Sequence, residues 1–261
     1  MGAHQKIDRV ARNNLRVLGV KPTAFPSSKN ILHFEGKNGP DGIKRKSPAV
    51  NEPWHYFNPF DDEDMGIINL ITDHYKLLVN SLAENDTERA SFEAAWLAHA
   101  IVDGLTPAHH YPYEEKLTEL RGGEGIETRT TIKEKLVLPG DTRREQVKNN
   151  WKMWGPKGLM TTHGLFEFGI AAIIAPLSFQ SSQPTKEDIA RMQELGIAEY
   201  FKLTAREIAV MDLFKVYYQK GWTTKLSLDI RKKLIPQIIK TVSLAWYCAI
   251  QDAKAQTKKN A

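Results

Sequence analysis

Apolar residues recur along most of this chain at the three-and-four spacing of a helix, not in the alternation of a half-buried strand. Ile7, Val10, Ala11, Leu15 and Leu18 form one such stripe, with Gly19 behind it as a stop. Residues 65–83 and 88–103 predict two further helices, the later one with Thr87 as its N-cap and Gly104 and Pro107 as stop signals. Short helical pieces are expected near 112–120 and 142–154, and a longer helix over 159–175. After a loop at 178–184, Thr185 and Asp188 have the spacing of a capping box that opens a helix of roughly thirty residues. Gly221 separates that helix from a last one, kinked near Pro236. Between 20 and 64 the chain carries Pro22, Pro26, Pro40, Pro48, Pro53 and Pro59 and predicts a long irregular segment. That segment is rich in His, Trp, Tyr and Phe, which marks it as ordered and functional. No fixed-period repeat is present, so the reading is one all-α domain, 1–261, whose helices share a core.

Composition narrows the class. Of 261 residues, 41% are apolar and 26% charged, which excludes wholesale disorder. The single cysteine, Cys248, excludes an internal disulfide framework and a zinc site built from several thiolates; it is expected to be a buried small hydrophobe. The opening Met-Gly-Ala-His carries no cationic lead into an apolar core, and the most apolar run, 164–179, contains Glu167. The expectation is a cytoplasmic protein with no transmembrane segment. The net charge of +5 is uneven, with 12 Lys/Arg against 4 Asp/Glu in residues 201–261. These basic C-terminal helices are either a solvated face or a surface for anionic partners.

Two pairs carry the chemistry. His99 and Asp103 sit four apart within Ala-Ala-Trp-Leu-Ala-His-Ala-Ile-Val-Asp, hence on one face of an apolar helix. A carboxylate there is costly unless paired or coordinated. Alone, such a pair reads as a simple hydrogen bond. A second pair, His163 and Glu167, occupies the most apolar run of the chain, with no Lys or Arg within a turn or two. Two such pairs bring a metal into view. His109, beyond the turn at Pro107, can fold back beside Asp103. Imidazoles and carboxylates without thiolates suit zinc, although other borderline divalent ions accept the same set. His33 and His74 are expected to be structural or surface residues, His110 a surface or supporting one, and Asp61–Asp64 a helix N-terminal charge cluster.

His99-x-x-x-Asp103-x-x-x-Pro107-x-His109 followed by His163-x-x-x-Glu167 resembles the zinc-dependent phospholipase C superfamily, which also contains the zinc-dependent single-strand nucleases. His55-Tyr56-Phe57-Asn58-Pro59 matches the aromatic-rich histidine segment of that pattern, Asp41 the aspartate before it, and His4 the histidine opening the first helix. The resemblance spans residues 4–167. It implies a single-domain helical bundle of the phospholipase C / zinc nuclease type, with a cleft holding two or three zinc ions. By resemblance, Asp41, His55, His99 and Asp103 surround one ion, and His109, His163 and Glu167 hold a second. His4 with a shared Asp103 holds a third, where the Gly2 amine replaces the family's N-terminal tryptophan amine once Met1 is removed. The interval from His109 to His163 is longer than in the family, so 111–157 is expected to be an inserted lid or specificity element. The family's secreted members meet their substrates outside cells, unlike the cytoplasmic chain expected here.

The implied activity is zinc-dependent phosphodiester hydrolysis of phospholipase C type. Metal-activated hydroxide attacks the phosphorus, and Asp41 is the candidate catalytic base that steers or deprotonates the water. Trp54, Tyr56 and Phe57 either wall the cleft or pack the core. Arg121, Arg129, Arg143 and Arg144 either reach a phosphate or stand idle in solvent. The alternatives are a single-strand nuclease, which stacks bases on aromatic rings, and a non-catalytic binding protein held together by metal.

Overall fold

A computed structural model of the chain describes residues 2–260. It is all-α, with no strand among the described residues. Helix α1 (Ala3–Val17) follows the first apolar stripe, burying Ile7, Ala11 and Leu15. Leu18 is its C-cap and Gly19 adopts φ +78°, the left-handed turn that glycine accepts without a Cβ clash. The proline-rich segment is not irregular throughout. It forms α2 (Ser28–His33), capped by the Ser27 hydroxyl, and α3 (Pro40–Lys46), which opens on a proline. Neither helix is long enough to show a stripe, so periodicity could not announce them.

Helices α4 (Gly66–Ala83) and α5 (Thr87–Leu105) lie close to their expected spans. The cap of α5 is Asp86, whose carboxylate accepts from the Arg89 N–H, so Thr87 is its first residue instead. The helix also runs through Gly104, which is not a stop. A Cβ there would come within 2.5 Å of the Phe201 ring, so glycine serves close approach to a neighbouring helix. Segment 111–157 folds into α6 (Tyr113–Leu120), α7 (Ile132–Leu136) and α8 (Arg143–Trp154) around a small cluster of its own, Leu117, Leu138 and Met153. Helix α9 (Leu159–Ile174) follows.

The capping box at Thr185 and Asp188 forms as expected and opens α10 (Lys186–Ala209), shorter than anticipated and broken at Gly196, φ +74°. After α11 (Leu213–Lys220) and α12 (Thr224–Asp229), one π-helical turn, Ile230–Leu234, leads into α13 (Ile235–Asn260). Pro236 offers no N–H and would crowd a regular turn; widening the turn before it accommodates the ring without a break. Helix α13 packs on α1, α4, α5 and α10, and its buried Trp246 donates to the Ala94 carbonyl of α5. One contiguous core therefore runs from Ile7 to Ile250. Cys248 is buried on α13, and loss of water pushes its thiol up to about 12.

Candidate metal centre

Helix α5 is the platform. Packed among α1, α4, α10 and α13, it buries nearly every residue of its second half, and so holds His99 and Asp103 one turn apart with little freedom. Helix α1 brings His4 from one side, α3 brings Asp41, and the turn after α5 returns His109. Helix α9 supplies His163 and Glu167. All of these except the buried His99 line a single cleft of about 530 Å³, together with His55 and Gly2; Met1 lies outside the described residues.

Around Asp103, the His4 Nε2 is 3.3 Å from Oδ1, and the His99 Nε2 is 3.3 Å from Oδ2. Asp41 places Oδ1 3.9 Å from the same His99 nitrogen. His4 and His99 stack, ring centroids 4.2 Å apart. On the other side, Oε1 of Glu167 lies 2.8 Å from the His109 Nε2 and 2.9 Å from the His163 Nε2. Asp103 joins the two halves, its Oδ2 3.9 Å from the His109 Nδ1.

The tautomers matter. The His109 Nδ1–H donates to the His55 carbonyl at 2.7 Å, and the His55 Nδ1–H to the Pro53 carbonyl at 3.1 Å. A carbonyl can only accept, so each ring keeps its Nε2 lone pair for something else. His99 behaves alike: Nδ1–H donates to Oε1 of Glu35 at 3.0 Å, leaving a buried Nε2 with no hydrogen-bond partner, turned toward two carboxylates. The His163 Nδ1 and His4 Nδ1 are also buried without partners. Lone pairs facing carboxylate oxygens repel unless a cation or an extra proton stands between them. In the metal-free chain protons fill that role. Burial pulls His99 down, but Asp103 and Glu35 carry its imidazolium up to about 10. Burial pushes Asp103 and Glu167 up, yet Lys44 with His99, and His109 with His163, hold them well below the ordinary carboxylate range. His55 is different: burial and the Lys44 ammonium hold it well below its usual value, so it stays neutral.

This donor set fits a divalent ion. It has imidazole lone pairs, ionised carboxylates and orphaned buried nitrogens, and His55, His99 and His109 are each anchored through Nδ1 in the way an outer carboxylate or carbonyl anchors a metal ligand. His109, His163 and Glu167 bring one donor atom each within 4.8 Å of one another, and so do His4, Glu35 and His99. Glu35 takes the outer position, since its oxygen accepts the His99 Nδ1–H and not the Nε2 turned toward the other two carboxylates.

Two residues at the centre had no signal in the sequence. Glu35 sits in a proline-rich segment, with no spacing that ties it to His99. Lys44 follows Asp41 by one helical turn in a helix that periodicity did not reveal. Its ammonium lies 3.0 Å from Oδ2 of Asp103 and 3.8 Å from Oδ1 of Asp41. Burial weakens the Lys44 charge, but Asp103 and Asp41 more than compensate and raise it above its ordinary value. Asp103, Asp41 and Glu167 thus act on one ammonium, while Glu35 lies beyond His99.

The remaining expectations separate clearly. His74 bonds Glu93 at 2.6 Å beneath an aromatic cluster, and His33 packs edge-on against Phe34; neither lines the cleft. His110 is largely buried, where its Nε2 bonds the Gly104 carbonyl, so it is a structural anchor and not a surface group. Asp64 accepts from the Asn58 N–H before α4, and Asp62 pairs with Arg206. Phe57 packs in the core, whereas Trp54 and Tyr56 wall a cavity of about 190 Å³ beside the cleft. Arg121 and Arg129 are buried in ion pairs with Glu124 and Glu114; Arg143 and Arg144 are exposed. No described helix is long and apolar enough to cross a membrane. No family model, curated protein or solved structure matches the chain.

Proposed function

We propose that this protein is a zinc-dependent phosphodiester hydrolase of the phospholipase C type. The observation that carries the reading is the convergence of His4, Asp41, His55, Asp103, His109, His163 and Glu167 on one cleft, with the buried His99 Nε2 3.3 Å from Oδ2 of Asp103; they are drawn from four helices and two connecting segments. Asp41, His55, His99 and Asp103 would hold one ion; His109, His163 and Glu167 a second; His4 and Asp103 have the donors for a third. Bound zinc supplies a water of lowered pKa and positive charge opposite the phosphoryl oxygens and the departing alkoxide.

The chain's own groups do the rest. Asp41 is the half-exposed carboxylate at the rim and the base we assign for the proton of the attacking water. Lys44 holds Asp41 and Asp103 in place and adds a fixed positive charge beside the phosphoryl position. The buried walls around His99 and His109 exclude bulk water, which strengthens each of these interactions. Segment 111–157 contributes Trp154 to the cleft and Arg129, Lys135 and Leu136 to the adjoining cavity, consistent with a specificity element.

Metal analysis of the purified protein beside a diester panel tests the reading. The panel compares a chromogenic phosphocholine ester, a bis-aryl phosphate and single-stranded DNA. Two or three zinc equivalents are expected, with hydrolysis of at least one diester abolished by a chelator and restored by zinc. His99→Ala and Glu167→Ala should each lose metal; retention of the wild-type complement by both would overturn the ligand assignment.

A further inference from the structure

The surface around the cleft mouth is unusually apolar. On α8, Val147, Trp151 and Trp154 lie at i, i+4 and i+7, one face of the helix, and are 69%, 68% and 44% exposed. On α9, which packs against α8, Leu165 and Phe168 are 49% and 72% exposed. Scattered exposed apolar side chains are ordinary, but a contiguous set is not. Trp151 and Phe168 alone leave roughly 200–350 Å² of aromatic surface in water, given the 150–250 Å² that such side chains can bury. The two stripes meet at the opening, for Trp154 and Phe168 both line the metal cleft.

The charge around these stripes has one sign. Residues 132–157 hold seven Lys and Arg against three Asp and Glu. Arg143, Arg144, Lys148, Lys152 and Lys157 are exposed, and at about 100° per residue Arg144 and Lys148 run along one border of the α8 stripe. The ion pairs of this part of the chain, Arg129–Glu114 and Lys135–Glu52, lie behind it and leave the outer cations free. In the basic C-terminal helices part of the charge is neutralised. There Lys225 and Lys233 pair with Asp229, and Lys240 with Asp188. Other cations such as Arg231 and Lys232 are also exposed, but those of α8 border exposed tryptophans at the cleft mouth.

We propose that α8 and the outer face of α9 form a docking surface for an anionic phospholipid bilayer, which seats the cleft mouth against the headgroups. An apolar face carrying Trp and Phe, bordered by Lys and Arg, matches the two attractions of an interfacial helix: burial of rings at the acyl boundary and attraction to acidic headgroups. Tryptophan suits that boundary because its ring is apolar and its N–H polar. A nucleic-acid strand would use the cations but leave Val147 and Leu165 in water. The identity of the surface as a route to substrate rests on the hydrolase reading; its binding of lipid does not.

Sedimentation of the protein with vesicles tests this, comparing phosphatidylcholine alone with phosphatidylcholine containing phosphatidylserine. Wild type should partition onto the serine-containing vesicles and only weakly onto the neutral ones. Lys148→Gln with Lys152→Gln should weaken binding to the acidic vesicles by about 25-fold, roughly fivefold per charge. Val147→Ser with Trp151→Ser should weaken it on both vesicle types. All four positions lie outside the cleft lining, so hydrolysis of a water-soluble diester should persist in these variants. If wild type binds vesicles but cleaves no diester, the docking surface stands and the hydrolase reading fails. The docking proposal is overturned if wild type stays in the supernatant with acidic vesicles, or if the Val147/Trp151 variant binds like wild type. A concentration-dependent dimer abolished by the same substitutions, without vesicle binding, would assign the surface to a second copy instead.

Discussion

Replacing Glu35 by glutamine probes the electrostatics of the cleft without removing any assigned metal ligand. Its carboxylate is 4% exposed and accepts the His99 Nδ1–H at 3.0 Å, while its other oxygen has no hydrogen-bond partner. Burial pushes Glu35 up, but the hydrogen bond and charge of His99 pull it further down, so it is ionised near neutrality. Glutamine keeps an acceptor and the ring orientation but deletes the negative charge. A cation on the far side of the imidazole would stand roughly 7 Å from that charge, worth on the order of 2 kcal/mol per unit of cation charge at an effective dielectric of ~20. Outer partners of metal-binding histidines are worth about 10–100-fold in affinity, or about 1.4–2.7 kcal/mol, the same order. Titration of metal-free protein with zinc against a chromogenic chelator should show the His99 ion weakened by that amount. The ion of His109, His163 and Glu167 should be held as in wild type, and Glu35→Ala, which also frees the ring, should lose more. Unchanged affinity for both ions in Glu35→Gln would refute the outer role assigned to this carboxylate.

Two further expectations concern the frame. Gly104→Ala would drive a methyl into the Phe201 ring and within 3.0 Å of Ile67, in a core with nowhere to yield. The overpacking cost of about 1–3 kcal/mol should exceed the helix gain of roughly 1 kcal/mol, lowering the urea midpoint; a raised midpoint contradicts the packing. At the head of α10, burial pushes Asp188 up, but the Thr185 N–H and the Lys240 ammonium pull it down further, for a net lowered value. A carboxyl whose folded pKa lies below its unfolded one stabilises fully above the unfolded value and loses that contribution as pH falls through the folded one. Asp188→Ala should therefore cost about 1 kcal/mol at neutral pH and progressively less on acidification below about pH 4. A deficit that stays constant with pH would show that the carboxylate charge contributes nothing.

What the linear chain carried was whatever repeats within a few residues. The stripe of α1, the spans of α4, α5, α8 and α9, and the capping box at Thr185 follow from side-chain periodicity and local hydrogen bonding, which act over one or two turns. The two histidine–carboxylate pairs were visible for the same reason, since four residues along a helix is one step in space. Short helices such as α2, α3 and α7 escaped because they complete too few turns for a pattern. Thr87 has the residue type of a cap that Asp86 holds, because either side chain can accept the same N–H and only the backbone path chooses between them.

The tertiary structure decided everything that depends on distant segments meeting. Glu35 reaches His99 across 64 positions and Lys44 reaches Asp103 across 59, and no local rule relates their spacing. Gly104 read as a terminator until Phe201 lay against it, and the lysines of the basic C-terminal helices read as free until Asp229 and Asp188 claimed three of them. Partnership and burial are properties of the packed molecule. A residue type can only state what chemistry it offers, and the fold determines which neighbour, solvent or surface receives it.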